Sequence, residues 1–535
     1  MAIADQYLAT PPPCVVLSGL EWDGLVVSEP NRSAKSDFVF LCRKPLYGSR
    51  CAPLRWYLTI SGILQKAGYR CHRTDLCVFS RRKANLITSL VVLHVDDFLI
   101  CVTQEEHDYF CKTISVLKSG PIVQLEVGAT LVFCGLSIVF NANHSYGLSQ
   151  DSYRSRLVPI DSGFAADVPI APLRMDSLSR LCRAFVGGAL WMLQTRYDIS
   201  FLTIKLATLI SQVCTDVESR REFVRISHLI VQTVMQTDVT VWYHRPPPKC
   251  DRRRFQIITF ADAGFHSLPN LASIESFCVG WGLPLFRDGI IHCHLHLIYW
   301  NSRKLRRVAR SSMSCEVAAL CTALDCTLWI RSVYHEIFFG QFAHEVVSPE
   351  DSAPLISPFA LAEKSEIIQF ALGSQRRKSL LGVPQDKETA WFLSIPTSEA
   401  PSSMYWMSVE KMRKSYQSFF TYSGLITGAR AHCLLLTDSP NAFAASHETN
   451  SRALERTTRL NLHYLRDHLS LISFSFVSAG FNLADTGTKQ HSTSWLRFEC
   501  CKTNRCRIGF LSRKDLKSLV HLVHSYESSR CGSVS

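Results

Sequence analysis

Apolar residues change their spacing several times along this 535-residue chain, and each change marks a different kind of element. From Trp56 to about Ala67 the spacing is helical. Two β-rich runs then fill Leu86 to Val102 with Asp96 and Asp97 between them, which predicts a hairpin carrying both carboxylates at its tip. A second strand pair is expected around Leu131 to Phe140. Between Leu178 and Val234 the helical period returns through Leu178, Leu181, Phe185, Phe201, Ile204, Phe223, Ile226 and Ile230, so two or three helices are predicted. Proline and clustered charge at Arg245 to Arg254 then mark a boundary. Beyond it, Phe255 to Phe260 reads as a strand leading to Asp262, and His292 to Trp300 as another. Ser314 to Ile337 reads as a helix with Val317, Leu320, Leu324 and Leu328 on one face. From about Gln341 to Ala429 no period survives, so an insertion with long loops is expected. Regularity returns with a strand at Cys433 to Leu436, a helix near Arg452 to His468, a strand near Leu471 to Val477, and a turn or helix around Asp485.

Composition narrows the class. A chain of this length suggests three or four domains, and 47% apolar residues exclude global disorder. Lys and Arg number 58 against 45 Asp and Glu, a net charge of +13 that favours an anionic partner. The 21 cysteines are too sparse for a disulfide scaffold. The amino terminus lacks the basic-then-apolar pattern of a secretory signal, and the longest apolar run is broken by Asp96 and Asp97. A soluble intracellular protein with no membrane partner is therefore the expectation.

Two carboxylates at a strand reversal can share divalent cations, as phosphoryl transfer requires, although an isolated Asp-Asp is more commonly a solvated turn. Here the surroundings add to the pair. Lys44-Pro45-Leu46-Tyr47-Gly48-Ser49-Arg50-Cys51-Ala52-Pro53-Leu54-Arg55-Trp56-Tyr57 precedes His94-Val95-Asp96-Asp97-Phe98, and Phe133-Cys134-Gly135-Leu136 follows. In that order the segments resemble the LYGLKQAPRAWY-like segment, YVDD hairpin and FLG turn of reverse transcriptases from copia-type LTR retrotransposons. Phe185-Val186-Gly187-Gly188-Ala189-Leu190 and Thr195-Arg196-Tyr197-Asp198-Ile199 resemble the same family's LVGSLLYL and TRPDI segments. The resemblance implies metal-binding roles for Asp96 and Asp97, and nucleic-acid contacts for Tyr47, Gly48 and Arg50. A further catalytic Asp of the family lies in an earlier DVKTAFL-like segment. Neither Asp5 nor Asp23 sits in such a segment, so the chain is expected to be truncated at its amino terminus and polymerase activity is not expected.

A second set of carboxylates falls in separate α/β elements. Phe260-Ala261-Asp262-Ala263 resembles the YSDADW segment of copia-type ribonuclease H domains, Leu436-Thr437-Asp438-Ser439 the CDNQSA segment, and Asn482-Leu483-Ala484-Asp485-Thr486-Gly487-Thr488-Lys489 the NLADILTK segment. The run from Ile298 to Glu316 aligns without a gap to ISWSSKKQKTVALSSTEAE, which puts Glu316 on the family's helix-borne catalytic Glu. The resemblance implies an RNase H fold, a mixed sheet flanked by helices, in which Asp262, Glu316, Asp438 and Asp485 hold two Mg²⁺ ions, with Mn²⁺ as a substitute. The chemistry implied is two-metal hydrolysis of the RNA strand of an RNA–DNA hybrid. Arg303, Lys304, Arg306, Arg307 and Arg310 precede Glu316 and suit phosphate neutralisation, with a solvated basic loop as the alternative. His463, in a segment resembling RYHFVRE, is a candidate for proton transfer or product release, against a purely structural histidine. The interval from Glu316 to Asp438 is far longer than an ordinary helix-to-strand connection, so the acids converge only if the insertion loops out.

The expected architecture is α+β or α/β. A truncated reverse-transcriptase palm covers 1–150, a helical thumb or connection 151–245, RNase H-like halves 246–340 and 431–490 flank an insertion at 341–430, and a tail covers 491–535. A catalytically inactive nucleic-acid-binding remnant is the alternative to an active nuclease. His292, Cys293, His294 and His296 lie on one strand with the alternate histidines sharing a face, and Cys500, Cys501 and Cys506 loosely resemble a zinc cluster with His521 and His524, but neither set has the spacing of a zinc site.

Overall fold

The computed structural model describes residues 7–9, 40–42, 52–83, 86–117, 122–165, 172–237, 239–244, 256–287, 290–339, 433–447, 455–468, 471–477, 482–489 and 505–509. They belong to two compact units, 1–121 and 122–535, and the fold is α+β.

In the first unit, Tyr7–Ala9 (β1) pairs antiparallel with Phe40–Cys42 (β2). Ala52–Lys66 (α1) leads into an antiparallel sheet of Arg70–Cys71 (β3), Val78–Lys83 (β4), Leu86–His94 (β5) and Asp97–Val102 (β6), followed by Gln104–Ile114 (α2). Alternate residues of β5, Ser89, Val91 and Leu93, face inward as the two-residue period of a strand requires. Val91 and Leu93 pack with Phe79 against Ile60 and Leu64 of α1 and Phe110 and Ile114 of α2. The expected hairpin forms, with His94 paired to Asp97 across a turn of Val95 and Asp96. Val95 is β-branched yet holds φ 55°, a left-handed conformation costly for such a side chain. Its carbonyl accepts a 2.6 Å hydrogen bond from Trp56 Nε1.

In the second unit, Thr130–Phe133 (β7), Leu136–Phe140 (β8) and Tyr146–Ser149 (β9) form a meander. The short helix Asp151–Arg154 (α3) and three longer helices follow: Pro172–Met192 (α4), Ser200–Leu209 (α5) and Val217–Gln236 (α6). Val241–Tyr243 (β10) then returns to pair with β9. Leu181, expected on the buried face of α4, is 49% exposed. The buried stripe instead runs through Leu178, Cys182, Phe185, Val186 and Ala189, the i, i+4, i+7, i+8, i+11 row of one helix face.

The largest sheet comprises Gln256–Leu268 (β11), Ala272–Arg287 (β12), Ile290–Lys304 (β13), Cys433–Thr437 (β14), Ser473–Phe476 (β15) and Arg505–Gly509 (β16). Its order is β15-β14-β11-β12-β13-β16. β11, β12, β13 and β16 are antiparallel neighbours, whereas β14 runs parallel to β11 and to β15. Ser312–Phe339 (α7) packs on β11 and β12, and Pro440–His447 (α8) and Arg456–Asp467 (α9) pack against α7. α7 is long and apolar enough to cross a membrane by length and composition. Its Val317, Leu320, Ala323 and Leu324 are nevertheless buried against Ile258, Phe260, Leu434 and Leu436 in the sheet's core.

Two features differ from the sequence pattern. β11 continues past Asp262 because pairing with β12 persists to Gly264, although a buried carboxylate ends the apolar run. β12 itself has no counterpart among the expected strands, because Gly280 and Gly282 interrupt its apolar pattern. A Cβ at Gly280 would lie 2.7 Å from Leu295 Cγ, so close packing of β12 on β13 requires glycine there.

Candidate metal centre

The parallel register of β11 and β14 creates the site. Ala261 pairs with Thr437, so one residue further along each strand Asp262 and Asp438 stand side by side where the parallel pairing ends. Glu316 comes from the first turns of α7, whose start is capped by Ser311 Oγ accepting from Ser314 N at 3.1 Å. Carboxylate oxygens of Asp262, Glu316 and Asp438 all lie within 4.8 Å of one another. This is the one such group of His, Cys, Asp or Glu among the described residues. Convergence therefore occurs despite the long interval between Glu316 and Asp438.

Burial makes this group costly without a cation. Asp262 is 1% exposed. Desolvation, reinforced by the Asp438 charge and opposed by Lys489, pushes its carboxyl up to about 8. Desolvation followed by repulsion from Asp262 and Asp438 raises Glu316 well above the usual range. Desolvation likewise raises Asp438, while Lys489 and the hydrogen bond from Asn482 pull it back. Glu316 Oε2 is buried and has no hydrogen-bond partner. A buried carboxylate oxygen of this kind is normally satisfied, so an orphan on one residue of an all-oxygen cluster fits a hard divalent cation. The triad can hold such an ion.

The fourth expected acid, Asp485, lies in a short 3₁₀ helix, Leu483–Gly487, and is 3% exposed. It is not part of the triad; its Oδ1 accepts from Lys489 Nζ. Several residues whose roles the sequence did not reveal hold this turn in place. Asn482, fully buried, caps it by accepting from Ala484 N at 3.2 Å. Its Nδ2 donates to Ala261 O at 3.0 Å and to Asp438 Oδ1 at 3.1 Å, tying the turn to both strands. Thr488 Oγ1 donates to Asp262 Oδ2. Tyr197, from the segment between α4 and α5, donates to Ala484 O at 3.2 Å and shares a 2.7 Å hydrogen bond with Ser276 Oγ, the residue paired with Asp262 on β12. Gly487 packs directly on the hydroxyls of Ser276 and Ser302, leaving no space for a Cβ. In the sequence only the NLADTGTK segment as a whole carried a signal, because hydrogen-bond partners so far apart have no spacing rule.

The remaining expected residues divide. Arg303 on β13 is engaged by the buried Glu275 of β12 and donates to Thr322 Oγ1 at 3.0 Å, while its side chain stays 44% exposed. Lys304, Arg306, Arg307 and Arg310 are exposed. Their loop is seated by Leu305 and the buried Ala309, which pack with Ala263, Cys315 and Ala319 beside Asp262 and Glu316. His463 is exposed on α9 and no hydrogen bond links it to the triad. Asp96 and Asp97 are exposed on the hairpin of the first unit, and no third ligand joins them among the described residues. Tyr47, Gly48 and Arg50 lie outside the described residues, as do the Arg245 to Arg254 boundary and the 341–430 insertion. His296 is a core residue stacked on Tyr243, and burial lowers its imidazole to about 4. The chain matches no protein-family model, and no curated protein matches it.

Proposed function

We propose that the second unit carries a divalent-metal-dependent ribonuclease H site acting on RNA–DNA hybrids, and that the chain derives from a copia-type LTR retrotransposon polyprotein. The observation that carries the reading is the convergence of Asp262, Glu316 and Asp438, three acids brought from distant sequence segments into one buried group by a mixed sheet flanked by helices. Those are the positions that the motif resemblance marks as catalytic. Mg²⁺ is the ion proposed for the triad because all three donors are carboxylate oxygens, and Mn²⁺ would substitute. When bound, such an ion lowers the pKa of water and offsets the charge developing at phosphorus.

The chain's own residues supply the rest. Asp262, Glu316 and Asp438 fix the ion's place, and Asn482 and Thr488 fix the two aspartates by hydrogen bonds. Lys304, Arg306, Arg307 and Arg310, held beside the triad by Ala309 and Leu305, neutralise phosphates along the bound duplex. Hydrolysis breaks the bond from phosphorus to the 3′ oxygen of the RNA strand, with water supplying the new oxygen and the proton taken up by the leaving oxygen. For the first unit the proposal is polymerase ancestry only, on the resemblance that places Asp96 and Asp97 at its exposed hairpin tip.

The test is cleavage of a labelled hybrid by the full chain in Mg²⁺, compared with Asp262→Asn and Glu316→Gln. Loss of cleavage with retained, salt-sensitive hybrid binding is the expected result. Hybrid binding without any cleavage above those variants refutes the enzymatic reading and leaves the binding remnant.

A further inference from the structure

The acid that stands apart from the triad is paired with a cation that the chain itself supplies. Lys489 lies four residues beyond Asp485, donates to Asp485 Oδ1, and places its Nζ 3.9 Å from Asp262 Oδ2. A second metal ion sharing Asp262 with the first and held from the far side by Asp485 would have to occupy that same space. Asp262 Oδ2 also accepts from the fully buried Thr488, so this oxygen is committed to protein donors. The Lys489 side chain is 46% exposed, which puts its ammonium at the mouth of the group rather than in the core.

We propose that this site takes one divalent cation, held by Asp262, Glu316 and Asp438, and that the Lys489 ammonium acts as its second positive charge between Asp262 and Asp485. The inference rests on the nuclease reading of the same site and specifies its cation requirement. Two like charges cannot share the space between those carboxylates without strong repulsion, and a tethered ammonium has the advantage of being always present. Asp485 is then a positioning residue that holds Lys489, not a metal ligand.

The experiment is a Mn²⁺ titration of the full chain at millimolar free ion, read by the paramagnetic resonance of free Mn²⁺ and by calorimetry. Ions are counted as those lost in Asp262→Asn. Expected are one ion in the wild type, one in Lys489→Arg, and two in Lys489→Gln, where the neutral side chain opens the space beside Asp485. Two ions in the wild type overturn the inference while leaving the metal-site reading intact. One ion in both the wild type and Lys489→Gln also overturns it, because Lys489 is then not what excludes the second. No ion in the wild type overturns the site reading itself. The wild-type count needs no variant to fold, and circular dichroism of each variant keeps the comparison within folded chains.

Discussion

Replacing Asp262 by asparagine removes a charge from a place where the chain resists holding one, and the size of that resistance follows from its surroundings. Burial first, and the Asp438 charge second, lift the carboxyl from 3.8 to about 8. At about 1.4 kcal/mol for each pH unit of that gap, the cost of the ionised form has a ceiling of ~6 kcal/mol. Asp262, Glu316, Asp438 and Lys489 share the titration, so the part that one substitution relieves is a fraction of the ceiling, ~2 kcal/mol. The sign follows from linkage: the folded chain keeps a proton on Asp262 that the unfolded chain has lost, so stability is full below about pH 4 and declines as pH rises towards about 8. The neutral amide of the Asp262→Asn variant cannot titrate. In chelator-treated protein, thermal unfolding of Asp262→Asn and wild type should therefore coincide near pH 4.5 and separate by pH 8. The variant should be the more stable by ~2 kcal/mol, or ~2–4 °C in midpoint. Equal midpoints at pH 8, or a less stable variant there, would refute the assignment of Asp262 as a strained buried acid.

The same electrostatics predict that Mg²⁺ raises the unfolding midpoint of the wild type more at pH 8 than at pH 6, because the ion binds ionised carboxylates. A shift independent of pH would contradict this. Arg196 pairs with Asp198 in the core at 2.8 Å and also donates to the carbonyls of Thr233, Val234 and Thr237 at the end of α6. Arg196→Ala should cost ~3–5 kcal/mol in urea unfolding, since it leaves Asp198 buried and unpaired; a loss below ~1 kcal/mol would sink that account. In the first unit, Val95→Asn should stabilise by ~1 kcal/mol, because asparagine tolerates the left-handed backbone at the hairpin tip. Unchanged or reduced stability on denaturant unfolding would show that the turn is not strained.

Long periodic elements were legible from the sequence. The hairpin at Asp96-Asp97, the strands and helix leading to Glu316, and the strands at Cys433 and Leu471 all form near their expected places, because local hydrophobic period dictates them. The convergence of Asp262, Glu316 and Asp438 was readable only through motifs, since period gives no information on which strands become neighbours. What escaped was non-local. β12 is hidden by glycines, of which Gly280 is required by a facing leucine, and Arg303 looks like one cation among five until Glu275 is paired with it on the neighbouring strand. Asp485 read as an equal member of the acid set because its sequence does not reveal that a lysine one helical turn later takes up its charge.

Whether the three converged acids make a working nuclease site is tested most directly by single-turnover cleavage of an RNA–DNA hybrid. The full chain is assayed in Mg²⁺ beside Glu316→Gln, with hybrid affinity measured in parallel. Expected are cut RNA, intact DNA, and loss of cleavage in Glu316→Gln by ~100-fold or more with affinity unchanged. Cleavage that survives Glu316→Gln undiminished, or a hybrid bound and left whole by the wild type, would contradict the proposed role of the triad.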